Sequence, residues 1–165
     1  MTLTMEFIKS YFAAEKSESL LFLILGLASI LFSVYGWVKW NEAFYKGIAI
    51  PMILIACIQV VVGGTVYFRT DRQLETLTEL YHTDRKEFRN QEIPRMDVVM
   101  KNFSIYKKIE IAFVLIGILL IVTMRDRAFW LGVGVGMLMQ GAVMLTMDIF
   151  AEQRGEKYRS EIQRE

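Results

Sequence analysis

The sequence predicts an all-α polytopic membrane protein: four transmembrane helices forming two hairpins, with a helical stalk on the cytoplasmic side between spans two and three. Three observations predict it. The 165 residues are 54% apolar, and a soluble domain reaches roughly half only when glycine is counted. The apolar residues fall into four uncharged runs, Leu20 to Val38, Gly47 to Phe68, Ile111 to Met124 and Ala128 to Met147. Finally, with both termini placed inside, fifteen Lys and Arg lie on the cytoplasmic side and four outside, the asymmetry that orients spans in a cell (inner) membrane.

Residues 1–18 read as a cytoplasmic N-terminal segment. Phe7, Ile8, Tyr11 and Phe12 share one side of a helix, with Glu6, Lys9 and Lys16 elsewhere, so the segment is either an interfacial helix or a frayed end. Residues 19–68 form hairpin 1. Its runs of 19 and 22 residues match the roughly 20 needed to cross about 30 Å of hydrocarbon. No small-x-small cleavage site follows the first run, where Tyr35, Trp37 and Trp40 stand instead, so it is expected to remain in the mature protein. Trp37, Trp40, Phe44 and Tyr45 mark the outer boundary as an aromatic belt.

Residues 69–108 are expected to form a cytoplasmic helical hairpin. Leu74, Leu77 and Tyr81 continue a stripe below span two, and Met96, Val99, Met100 and Phe103 lead into span three. Pro94 suits the first turn of the second helix. The expected stalk contacts are Leu74, Leu77, Tyr81, Met96, Met100 and Phe103, with Leu74 and Leu77 near Phe103, Tyr81 near Met96, and residues 83–93 as the turn. Arg85, Lys86, Arg89 and Arg95, mixed with Asp84, Glu87 and Glu92, then lie at the loop tip. They would be either a solvated turn or a docking point for an acidic partner or anionic lipid.

Residues 109–150 form hairpin 2, in which the 14-residue third run reaches across only if Lys107 and Lys108 snorkel. Phe129 and Trp130 mark its outer boundary, and residues 151–165 are a cytoplasmic tail. The segment 43–53 matches 128–138 at a constant offset of 85, sharing Ala, Phe, Gly and Met. This is the pattern of a parallel two-plus-two repeat, or of convergent membrane composition.

Several chemistries fail on inventory. The single histidine, His82, lies in the stalk and Cys57 is the single cysteine. Bis-histidine haem ligation, dithiol redox chemistry and cysteine-based zinc sites are therefore excluded within one chain, and Cys57 reads as a small core residue. A net charge of +1 leaves no basic footprint for nucleic acid. No catalytic residue, cofactor or metal is expected.

Two features remain. Gly132, Gly136 and Gly141 form a small-residue face suited to close helix packing, within the bundle or between protomers. Glu110, Gln59 and Gln140 fall within about a turn of one depth and form a candidate polar intramembrane layer. Glu110 either lines an ion or proton path with the two glutamines, or is protonated or paired with Lys107 or Lys108 near the interface, the glutamines then being interhelical clamps. The function expected is a non-enzymatic oligomeric or partner-binding membrane subunit, whose partners are the lipid bilayer and either further copies or another membrane protein. The alternative is a small oligomeric ion or solute channel or transporter using the layer around Glu110.

Overall fold

Local chemistry sets each break in an otherwise helical chain. Thr4 caps the first helix, its hydroxyl accepting from the Phe7 amide at 3.2 Å, a role suited to threonine. That helix ends at Asn41, which adopts the left-handed conformation (φ 50°) that asparagine tolerates better than most residues. Asp84 is extended and accepts from the amides of Lys86 and Glu87, both at 3.0 Å. A short turn at residues 124–127 makes the last break. The computed structural model describes residues 4–164 and consists of α1 (Met5–Trp40), α2 (Ala43–Thr83), α3 (Arg85–Thr123) and α4 (Ala128–Gln163).

Three of these helices, α1, α2 and α4, are long and apolar enough to cross a membrane. With 36 to 41 residues per helix, each runs about 54 to 62 Å, nearly twice the hydrocarbon thickness. The bundle therefore has two unlike ends. Its loop end carries the α1–α2 and α3–α4 turns, and its terminal end carries both chain termini and the turn at Asp84.

Packing at the loop end depends on glycine. A Cβ on Gly47 would run into the Phe129 carbonyl oxygen, and one on Gly132 would run into that of Phe44. Residues 44, 47 and 48 thus meet 129, 132 and 133 reciprocally, at the offset of 85 seen in the sequence. Gly136 lies against Ile48 and Pro51. On the flanks, Gly63 of α2 lies 2.8 Å, by the position of an added Cβ, from the Ser19 carbonyl of α1, and Gly117 of α3 stands equally close to that of Gly134. Consequently α1 packs along α2, α2 along α4 and α4 along α3. α1 and α3 reach each other through long side chains such as Tyr11 and Met96.

The terminal end is closed by large side chains from all four helices: Ile8, Tyr11 and Phe12; Leu77 and Tyr81; Phe88 and Met96; Tyr158 and Ile162. Tyr11 and Tyr158 stack with centroids 4.0 Å apart, and Phe12 meets Tyr158 edge-on at 6.0 Å. Such aromatic contacts add to the area they bury.

This arrangement corrects several expectations. Residues 5–18 are the opening turns of α1 and residues 151–163 continue α4, so four helices, not two, make up the terminal end. Residues 1–3 and 165, the outermost parts of the expected N-terminal segment and C-terminal tail, lie outside the described residues. The turn between α2 and α3 is Asp84 alone rather than 83–93, and Pro94 is the tenth residue of α3 rather than part of its first turn. That shift moves the register by about two turns. Tyr81 meets Phe88, with ring centroids 5.6 Å apart, and Leu74 falls near the level of Arg95 instead of Phe103.

The contact between α2 and α4 predicts opposite outcomes at two glycines. Gly132→Val should destabilise the detergent-solubilised protein by about 1–3 kcal/mol through overpacking, measured by circular-dichroism unfolding. Gly64, where an added Cβ meets nothing within 4 Å, should accept alanine with no loss and a gain of up to about 1 kcal/mol. Equal responses at the two positions would contradict this packing.

Candidate functional site

Three groupings of buried polar side chains lie along the bundle. Nearest the loop end, Gln59 of α2 and Gln140 of α4 are both buried. The Gln140 amide donates to the Gln59 carbonyl oxygen, and Ser29 of α1 donates to Gln140 at 3.5 Å. An amide bond of this kind between helices clamps them together, while the Gln59 nitrogen is buried without a partner.

Glu110, the third member of the expected layer, does not join them. It is 1% exposed and faces the Asp148 carboxyl group across the α3–α4 contact. Asp148 lies eight residues beyond Gln140, about 12 Å along α4. Lys107, a partner considered for Glu110, pairs instead with Glu152. The expected single layer is therefore two separate groupings.

The third grouping occupies the centre of the terminal end. Glu92 has no solvent exposure and accepts from Arg95 Nε at 2.7 Å and Nη2 at 2.6 Å, the bidentate geometry that suits a guanidinium. The Gln73 amide, oriented with its oxygen toward the guanidinium, accepts from Arg95 Nη1 at 3.0 Å. Arg95 also lies over the Phe12 ring, 5.5 Å from its centroid, and the Tyr158 hydroxyl stands beside Glu92. Burial alone would lower the Arg95 pKa, but the hydrogen bonds and charge of Glu92 hold it above its ordinary value. Burial raises the Tyr158 and Tyr11 hydroxyls well above theirs, with help from Glu92 and Glu15 respectively.

Glu15 of α1 lies half-buried beside this core. Burial raises its pKa against the opposing pull of Arg95, Arg69 and Arg154, and Glu92 adds to the rise. Around the core, ion pairs tie the helices together. Lys16 reaches Asp71 (2.7 Å), Arg154 reaches Glu18 (2.7 Å) and Arg159 reaches Asp97 (2.7 Å).

The residues singled out in the sequence are distributed accordingly. Leu77, Tyr81 and Met96 are in the terminal core, with Leu74 and Met100 packed against it. Phe103 faces α4 at Gly155. Gly132 and Gly136 are covered by α2, and Gly141 by Phe113 and Val114 of α3. Cys57, expected in the core, is exposed on the outside of α2. Glu92, expected at a loop tip, is interior, and Arg95, expected there too, is half-buried beside it. Sequence reasoning also missed Asp148 as a partner for Glu110 and Glu15 as a neighbour of the terminal core. An available signal was the spacing of Tyr11 and Glu15 on one face with Phe12 beside them. No group of three or more His, Cys, Asp or Glu side chains able to hold a metal ion occurs among the described residues.

Removing one partner of a buried ion pair leaves the other uncompensated. Glu92→Ala is therefore expected to destabilise by about 3–5 kcal/mol, with Glu92→Met/Arg95→Met markedly less costly, as read from denaturant unfolding. A double variant as unstable as the single one would contradict a mutually compensating pair. Glu15 gives a pH test. Because its folded pKa is raised, the native state binds more protons than the unfolded state, and stability should increase as pH falls through the acidic range. Glu15→Gln should be more stable than the wild type at pH ~7 and should gain less on acidification, measured by thermal midpoint against pH.

Searches against family models, curated proteins and solved structures find no match to the chain.

Proposed function

We propose that the chain is a non-enzymatic integral protein of the cell membrane, crossing it four times as two hairpins with both termini cytoplasmic, and that it acts as an oligomeric or partner-binding subunit. Four crossings are supported by the course of α3, which runs beside α4 from Val114 near Gly141 to Gly117 near Gly134. α3 thus reaches the depth spanned by α4. The orientation is supported by the Lys and Arg bias. The aromatic cluster at the α1–α2 turn, where Trp40 stacks on Tyr45 at 4.5 Å, supports a membrane–water interface at the loop end.

The observation that carries the association reading is that the bundle fills its own interior. Glycine contacts bring α2 against α4, the glutamines bond to each other, and aromatic rings close the terminal end. What the chain offers to other molecules is therefore its outside, and the glycine face of α4 is already occupied by α2 and α3. Among the surfaces left are the outer faces of the helices and, at the terminal end, two shallow grooves. One lies between α1 and α2, about 590 Å³, with Lys9, Asp71, Glu75 and Glu79. The other is formed by α3 and α4, about 450 Å³, with Met100, Glu152, Glu156 and Lys157. The division of Glu110, Gln59 and Gln140 into two separate groupings weighs against a channel or transporter built on one polar layer.

Association predicts a particle larger than the 19.2 kDa chain when the full-length protein is crosslinked in its own membrane, extracted in mild detergent and sized by light scattering. A lone monomer with no copurifying protein, before and after crosslinking, would overturn the proposal.

A further inference from the structure

The pair formed by Glu110 and Asp148 is left unexplained by packing or association. Both side chains are acids on adjacent helices, at one level of the α3–α4 contact between the approach of Phe113 and Val114 to Gly141 and the Lys107–Glu152 ion pair. Asp148 is half-buried, and its carboxyl group interacts with that of Glu110. Glu110 is sealed from solvent at 1% exposure, and neither of its carboxyl oxygens receives a hydrogen bond from any donor. The charged groups facing Asp148 from its surroundings are Glu18 of α1 and Glu152 of α4. These are acids too, and their cations are engaged with them: Arg154 with Glu18, and Lys107 with Glu152. The offset of 85 puts Asp148 level with Gly63 of α2, inside the uncharged run from Gly47 to Phe68. No basic side chain on that stretch of α2 can compensate the pair.

Two facing carboxylates in such a place cannot both stay ionised without a ligand between them. A divalent cation would need about six or more oxygen ligands, and no group of three acidic, histidine or cysteine ligands is present among the described residues. A single proton needs two oxygens, one on each carboxyl group. We propose that Glu110 and Asp148 form a proton-binding site in which one proton is shared between the two carboxyl groups across the α3–α4 contact. Glu110 holds the proton covalently and donates it to Asp148, or the reverse. Either arrangement turns a repulsion between α3 and α4 into a hydrogen bond. The site does not depend on the association reading, because it concerns an internal contact of one chain.

Infrared spectroscopy of the full-length protein in lipid vesicles at pH ~6.5 tests the site, since exposed Asp and Glu (about 3.9 and 4.3) are ionised there. The wild type should show a protonated-carboxyl stretching band that shifts in deuterium oxide and disappears on raising the pH further. The isosteric variants Glu110→Gln and Asp148→Asn should each perturb that same band, by abolishing or shifting it, while retaining helical content. Glu152→Gln, which alters the neighbouring ion pair, should leave a protonated-carboxyl band in place. A wild type without such a band at pH ~6.5, or a band unaltered in both isosteric variants, would overturn the proposal.

Discussion

The backbones of α2 and α4 touch near the loop end, and the rest of the bundle is arranged around that contact. Lipid tails are as apolar as the side chains they surround, so little hydrophobic force draws helices together in a bilayer, and close packing of main chains must substitute for it. Gly47 and Gly132 permit this because each lacks the Cβ that would meet the opposite carbonyl oxygen. Such proximity also favours weak Cα–H···O contacts. Because the contact is reciprocal at the offset of 85, the α1–α2 and α3–α4 units meet as near-equivalents, and α1 and α3 are displaced to opposite flanks. Pro51 belongs to the same contact. It interrupts the α2 hydrogen-bond ladder, and its ring fills the space above Gly136.

The same four helices solve a different problem at their terminal end. In the proposed topology water is the solvent there, and burying Tyr158, Phe12, Phe88 and Met96 is favourable in itself. Large side chains thus replace glycine as the means of contact. Ion pairs between neighbouring helices then fix which helix lies beside which, a use of polar groups that concerns specificity more than net stability. The buried Glu92–Arg95 pair is the extreme case. Its value lies in the two bonds between Glu92 and Arg95 and the contacts of Arg95 with Gln73 and Phe12, since a half-satisfied charge at this position would be costly.

What the sequence disclosed follows from how strong each signal was. Long uncharged runs made the helical class and the apolar segments of α1, α2 and α4 legible, because segment length is a coarse quantity. The offset of 85 was visible as a pattern, and its physical content became clear only in the reciprocal contacts of Gly47 and Gly132. Pro94 was misread because a proline favours a first turn, yet the Asp84 cap starts α3 earlier and the helix carries the proline within it. That one misplacement moved Glu92 and Arg95 to an imagined loop tip and gave Phe103 the wrong neighbours. Asp148 escaped notice as a partner of Glu110 because counting residues from a boundary gives depth along each helix but not which face it turns to the next one. Cys57 was misassigned for the same reason.

These features describe a protein whose interior is committed to holding itself together, with a glycine contact in the apolar half and an ionic aromatic core in the polar half. Its function is accordingly sought on its outer surfaces, and the facing acids of α3 and α4 add a site sensitive to protons. All of this presupposes that α2 and α4 lie in parallel contact. Solid-state NMR of isotopically labelled protein in lipid bilayers measures that most directly. A through-space contact between the Pro51 ring and the Gly136 α-carbon is expected, and its absence, with both residues assigned, would contradict the arrangement.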